Sequence, residues 1–288
     1  MDQMPERKQP PTARLRRLAA ELRRLRGASG HTRESVAERT GINTTTLYRI
    51  ETARVRPQKR TLMTLLDLYG VLEADEREKL VELTRDSHQV GWLQLYESEL
   101  AEAYQTYISF EAEAKRIQTH QSLYVPGLLQ TEAYARALIR GVLPSESDEG
   151  VAQRVEVRMR RQALLTTADP TKLWAVVDEA ALRRLVGGAD VMREQLKHLA
   201  VLAKRPNITI QVLPYSAGAH PGLSGAIVLM EFPDDDPALV YTESASGGLF
   251  LEMEADVERY RATFQHLVAQ ALSPAETVKF LNSAAEAA

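Results

Sequence analysis

The leucines at positions 15, 18, 22 and 25 fall three, four and three residues apart, which stacks them on one face of a helix. Arg14, Arg16, Arg17, Arg23 and Arg24 mostly lie elsewhere on it, so the pattern predicts a first helix between Thr12 and Gly30. Thr32 is placed to cap a second helix that runs to about Thr40 and is broken by Gly41. Asn43 is placed to cap a third through Glu51, "RVRPQ" reads as a loop, and Leu62, Leu65, Leu66 and Tyr69 mark a fourth that stops at Gly70. A fifth is expected from about Asp75 to Asp86. Residues 12–87 therefore read as an all-α unit of five short helices, preceded by an arm, residues 1–11, expected to be disordered.

From Gly91 the pattern changes. "GWLQLYESELAEAYQTYISFEAEAKRIQTHQ" reads as one long or broken helix, "VPGLLQ" as a turn, "TEAYARALIRG" as a helix with Gly141 past its end, and Val151 to Leu165 as another helix. Then come apolar β-type runs, "KLWAVV", "ITIQVLP", "GAIVLMEF", "ALVYTES" and "GLFLEM", with helices beginning near Glu179, Val191 and Ala255. Residues 91–285 are thus expected to form an α+β domain with a sheet of about five strands, and the whole chain to be multidomain.

Around Gly41, the apolar residues fall where two short helices crossing steeply need them: Ala37 is small, and Val36, Ile42, Leu47 and Ile50 face inward. That is a helix-turn-helix pattern. Asn43, Thr44, Thr45, Tyr48 and Arg49 are left facing outward on the third helix, while Thr46 is expected to lie nearer the domain. Three consecutive threonines are weak helix formers. Their hydroxyls and methyls, however, suit base edges and thymine in a major groove that the first turn of a helix enters. Asn43 reads first as an N-cap. Arg49, Arg54, Arg56, Lys59 and Arg60 flank this helix as candidate phosphate contacts, against the alternative that any one of them is an idle surface charge.

Charge sharpens this division. Residues 1–70 hold 15 Lys+Arg against 7 Asp+Glu, so the rest of the chain, from totals of 36 and 39, holds 21 against 32. A basic head on an acidic body points to nucleic acid for the first part. Cysteine is absent, which removes disulfides and thiol chemistry, and the histidines at 31, 88, 120, 198, 220 and 266 show no metal-ligand spacing. No cofactor or metal is expected. With no membrane-length apolar run and a polar start, "MDQMPERKQPP", the protein is expected to be cytoplasmic with no membrane partner.

The stretch "LRRLRGASGHTRESVAERTGINTTTLYRIETARVRPQKRTLMTLLDLYG" resembles the lambda-repressor-like (XRE) helix-turn-helix family. Arg33 departs from it, since the family commonly has glutamine there in support of the recognition helix; Arg33 is long enough to reach a phosphate and is kept as a DNA-binding candidate. The remainder is similar to the C-terminal domain of actinomycete WhiJ-like, antitoxin-like regulators. The stretches that carry this are "FEAEAKRI", "VPGLLQTEAYARALI", "RVEVRMRRQALL", "LWAVVDEAALRRLVGG", "VMREQLKHL", "NITIQVLP" and "GGLFLEMEADVERYR". What the resemblance implies is a transcription regulator that is often encoded beside a small partner protein.

In the second domain, Arg154, Arg158 and Arg161 are spaced to share one helical face with Gln162 beside them, which fits an anionic ligand, an acidic partner segment, or pairing with carboxylates of the same chain. "AGAHPGLSG" puts His220 in a glycine-rich loop, as a ligand contact or as a plain surface histidine. Asp178 and Glu179 follow one strand and Glu243 ends another; Asp178 reads as an N-cap, and no catalytic motif is present. Three readings follow. The first is a repressor-like regulator that binds an inverted-repeat operator in double-stranded DNA as a homodimer held by its second domain, which also senses a partner or ligand. The second is an antitoxin that neutralises a partner and uses DNA binding for autoregulation. The third is a DNA-addressed enzyme, which would require Asp178, Glu179, Glu243 or His220 to converge in a cleft.

Overall fold

The structure is a computed structural model that describes residues 13–84, 92–93, 96, 100–233, 236–244 and 247–288. The arm, residues 1–11, the end of the fifth predicted helix at Asp86, and most of the stretch 91–99 lie outside the described residues. The chain divides into two compact units, residues 1–91 and 92–288.

The first unit holds α1 (Ala13–Ala28), α2 (Arg33–Thr40), α3 (Thr44–Glu51), α4 (Lys59–Leu68) and α5 (Ala74–Glu82). The leucine stripe of α1 is buried along its length against Val36, Leu47, Ile50, Leu62, Leu65, Leu66 and Leu80. Each such leucine contributes roughly 1.5–3 kcal/mol of burial. The Thr32 hydroxyl accepts the Ser35 N–H at 3.1 Å to start α2. Gly41, at φ 73°, ends α2 in a left-handed conformation that a side chain would strain, and so sets the sharp turn into α3. Ala37 and Ile42 pack half-buried on either side of that turn.

The second unit comprises α6 (Glu102–Glu113), β1 (Arg116–Gln121), α7 (Glu132–Val142), α8 (Asp148–Arg161), β2 (Lys172–Asp178), α9 (Glu179–Arg183), α10 (Ala189–Leu202) and β3 (Ile208–Leu213). It continues with β4 (Ile227–Glu231), β5 (Leu239–Ser244), β6 (Gly247–Leu251), α11 (Glu254–Gln270) and α12 (Pro274–Ala287). The sheet has six strands in the order β3-β2-β1-β4-β5-β6, with β1, β2 and β3 parallel and the rest antiparallel. The strand missing from the expected five is β1, "RIQTHQ", which the sequence pattern assigned to a long helix. Helix α6 stops at Glu113 and Ala114 turns extended, with no glycine or proline to mark the change. Although polar, β1 is central, and Thr119, His120 and Gln121 are buried by its neighbours. Gly141 lies inside α7 rather than past its end.

Helix α12 was not expected, and the domain boundary drawn at 285 falls inside it. Ser273 and Glu276 form a capping box at its start, with Pro274 in its first turn. It closes the β3 edge: Thr277 Oγ1 accepts the Val212 N–H at 3.0 Å, and the Leu272 N–H donates to the Val212 carbonyl at 2.8 Å. On one sheet face, α11 buries Val257, Phe264 and Leu267 against Val176, Ile227, Leu229 and Val240. Because β4 runs against β1, the segment 214–226 must cross the carboxyl ends of β2 and β1 to join β3 to β4.

Candidate functional site

The α3 surface is built from its first turn. Asn43 Oδ1 accepts the Thr45 N–H at 2.7 Å, which is the N-cap expected of it. Leu47 and Ile50 are buried, whereas Thr44, Thr45 and Thr46 are all exposed, so Thr46 sits on the open side rather than near the domain. Tyr48 keeps 41% of its surface exposed, one turn after Thr44. Neither α3 nor α4 has an acidic residue in its first turn, and α4 opens on the exposed Lys59 and Arg60. Cations at a helix start oppose the helix dipole, so α4 sacrifices some stability there. That arrangement suits an incoming anion. Arg54 is exposed, and Arg49 and Arg56 are half-buried.

Glu51, at the end of α3, fixes the pose of this surface. Its side chain is 2% exposed and receives Arg26 Nε from α1 at 2.6 Å on one oxygen and Arg33 Nε from α2 at 2.7 Å on the other. Arg23 adds a bond to the Glu51 carbonyl at 2.9 Å. Three helices therefore meet at one buried carboxylate. The partnership with Glu51 holds the Arg26 guanidinium above its ordinary range. The Arg33 guanidinium, named as a candidate phosphate contact, is tied to Glu51 and lies 5.3 Å from the centre of the Tyr48 ring. Arg54 lies over the same ring at 5.6 Å.

In the second unit, the three arginines of α8 are spent on the chain itself. Arg154 pairs with Glu146 at 2.9 Å, Arg158 donates to Gln130 at 3.0 Å, and Arg161 makes a two-pronged pair with Glu111 at 2.7 Å on both oxygens. Gln162 donates to the carbonyls of Gly127 and Gln130 at 3.2 and 2.7 Å. Arg154 and Arg161 thus pair with carboxylates of the same chain, whereas Arg158 meets an amide, and Arg158 and Gln162 hold the turn around Gly127 against α8. Tyr104 accepts from Arg161 and Tyr107 donates to Glu111 at 3.0 Å; burial, then the Glu111 charge, pushes the Tyr107 phenol well up. A cavity of about 30 Å³ beside Glu111, Arg161, Thr119, Gln121 and Gly127 is large enough for water but not for an organic ligand.

His220 is not a surface residue. Its side chain is 4% exposed, and its Nε2 lies 3.4 Å from Asp178 Oδ2, while Asp178 Oδ1 caps α9 at the Ala180 N–H, 2.8 Å away. Glu179 is committed to Arg183 and to the Tyr215 N–H, and Glu243 accepts from Tyr124 on a different part of the sheet. Of the four groups named for an enzyme, only Asp178 and His220 converge. Beneath them is His120, fully buried, whose ring nitrogens face the Val176 and Gly222 carbonyls at 3.2 and 3.3 Å, with its ring centre 5.9 Å from that of His220. A Cβ at Gly222 would meet the His120 ring at 2.4 Å, so only glycine lets the loop cross here. In the sequence His120 is marked only as one of six histidines, because it lies in a segment whose pattern reads as helix.

Burial holds the His120 pKa below its ordinary 6.5. A group whose folded pKa is lowered binds fewer protons folded than unfolded, so its share of stability is complete above 6.5 and is lost as pH falls below it. We expect the unfolding midpoint of the second unit to drop on acidification from pH 6.5, with His120 contributing to the fall. His198, also lowered by burial, adds in the same direction. His120→Asn should flatten the profile in urea titrations; an unchanged slope would contradict this assignment.

Residues 17–80 match a helix-turn-helix domain, and residues 104–283 match the domain of unknown function DUF5753. No curated protein and no solved structure matches the chain. Among the described residues, no helix is long and apolar enough to cross a membrane, and no group of three or more His, Asp or Glu is arranged to hold a metal. The second match takes in all six strands and covers well over half of the 288 residues, so the chain belongs to the DUF5753 family.

Proposed function

We propose that the protein is a cytoplasmic, sequence-specific transcription regulator of the XRE type, repressor-like, in which α3 enters the major groove of an operator. The observation that carries this is the α3 first turn: Thr44 and Thr45 are exposed on a helix whose end is locked by Glu51, beside two helix starts free of acid. Short hydroxyl and methyl groups there meet base edges, while Arg49, Arg54, Arg56 and Lys59 meet phosphates. One such head covers only a few base pairs, so a homodimer on an inverted repeat supplies the specificity. In this reading the second domain dimerises and receives a small partner protein or ligand, takes no cofactor, and is not an enzyme. The buried Asp178 and His220 serve the loop they hold, and Asp178 is already engaged as a helix cap.

The resemblance to WhiJ-like regulators also supports a second reading, an antitoxin that neutralises a partner and binds DNA to regulate itself. Purification from the source cells followed by a DNA shift assay separates the two, since a tightly bound partner that blocks a toxic activity favours the second. For the leading reading, Thr44→Ala with Thr45→Ala should leave the fold intact, because both positions are exposed and alanine is the better helix former. Preference for operator over scrambled DNA should fall by about 1–3 kcal/mol for each lost base contact. Competition titrations that show full preference in the double variant would remove α3 as the reader.

A further inference from the structure

On the reading that this head binds DNA, we propose that Tyr48 is a specificity-determining residue and that Arg33 is the positioning residue that holds it, giving no phosphate contact of its own. The geometry forms a continuous chain. Arg26 of α1 grips the buried Glu51, Glu51 holds Arg33 Nε at 2.7 Å, and the Arg33 guanidinium lies 5.3 Å from the centre of the Tyr48 ring, over which Arg54 also lies at 5.6 Å. Tyr48 is four residues after Thr44, so the two share a face of α3, and 41% of it remains exposed. A tyrosine on an open helix surface normally samples several rotamers, and selecting one in a complex costs conformational entropy. Two guanidiniums over its ring restrict that freedom in advance.

The charge arrangement explains why Arg33 is not a phosphate contact. Arg33 donates its Nε to the buried Glu51 carboxylate at 2.7 Å, which holds the guanidinium beside the Tyr48 ring rather than turned out to a phosphate. An arginine paired inside the protein releases fewer counterions on binding than a free one, so it adds little to the salt dependence of binding. Glu51 is also too buried, at 2% exposed, to give Arg33 up to the solvent cheaply. The exposed part of Tyr48 offers an aromatic edge and a hydroxyl, which suit a thymine methyl or a base-edge acceptor in the groove.

The test uses the full-length protein and a duplex that the wild-type chain selects from a random pool. Binding of that duplex and of a scrambled one is measured across a salt series for wild type, Arg33→Met, Tyr48→Leu and the double variant. We expect each single variant to lose roughly tenfold in selected-over-scrambled preference with an unchanged salt slope, and the double variant to lose no more than either. A salt slope lower by about one unit in Arg33→Met, with preference retained, would make Arg33 a phosphate contact and overturn the proposal. So would additive losses. If Arg33→Met does not fold, Tyr48→Leu at its exposed position carries the test, and preference retained there overturns it. A wild-type chain that selects no duplex contradicts the DNA-binding reading itself, and this inference with it.

Discussion

Arg161→Ala is expected to destabilise residues 92–288 by about 3–5 kcal/mol, the largest effect of any single substitution considered. Both partners of the Arg161–Glu111 pair are nearly inaccessible, at 5% and 1% side-chain exposure, and the guanidinium spans both carboxylate oxygens at 2.7 Å. Removing the arginine leaves Glu111 as a buried charge whose remaining hydrogen bond, among the described residues, comes from the Tyr107 hydroxyl. The pair also ties α8 to α6, so the loss would be felt at both helices. Replacing both partners, as in Glu111→Leu with Arg161→Met, should cost less than Arg161→Ala alone, because no buried charge is left, although the Tyr104 and Tyr107 hydroxyls lose partners. Urea unfolding of the three proteins checks the order. A single variant within 1 kcal/mol of wild type would mean that water reaches the site.

Glu51→Ala is expected to have the next largest effect, about 3 kcal/mol on the head. The reasoning is the same, but the orphaned groups differ: Arg26 and Arg33 are 19% and 35% exposed, so each can turn partly to water and the cost sits at the low end of the buried-pair range. For a domain with only about 5–15 kcal/mol of stability, that is a substantial share. Glu51→Gln keeps one acceptor oxygen and should lose less. A melt that follows head and second unit separately reads the effect, and an unaltered head transition in Glu51→Ala would show that the Arg26 and Arg33 contacts to the carboxylate contribute nothing net.

Both of these charge pairs were hidden in the sequence for the same reason. Glu51 bonds residues 25 and 18 positions away, and Glu111 bonds one 50 away; helical spacing reveals only neighbours three or four apart. The spacing of Arg154, Arg158 and Arg161 was legible, but which carboxylates or amides each would meet was set by the loop before α8, the turn around Gly127 and α6. By contrast, the head's helices could be read almost residue by residue. Thr32, Gly41, Asn43 and Gly70 carry local capping or turn chemistry, and the leucine stripe needs no distant information. Strand β1 was lost because most of its residues are polar and its burial comes from elements distant in sequence, β2 and β4 beside it and the Gly222 loop over His120. Helix α12 was legible in principle, since "SPAE" holds its cap, its proline and its capping-box glutamate. His220 was named from its loop, yet its burial followed from the path of 214–226 across the strand ends, which only the sheet order determines.

The most direct test of the account is selection of duplexes from a random pool by the full-length protein, with sequencing of what is retained and sedimentation of the complex. The account predicts an inverted repeat whose half-sites are about one helical turn, roughly 34 Å, apart, bound by two chains, with the enrichment lost in the Thr44→Ala, Thr45→Ala variant. Enrichment of no sequence, or an enrichment that the double variant reproduces unchanged, would contradict it.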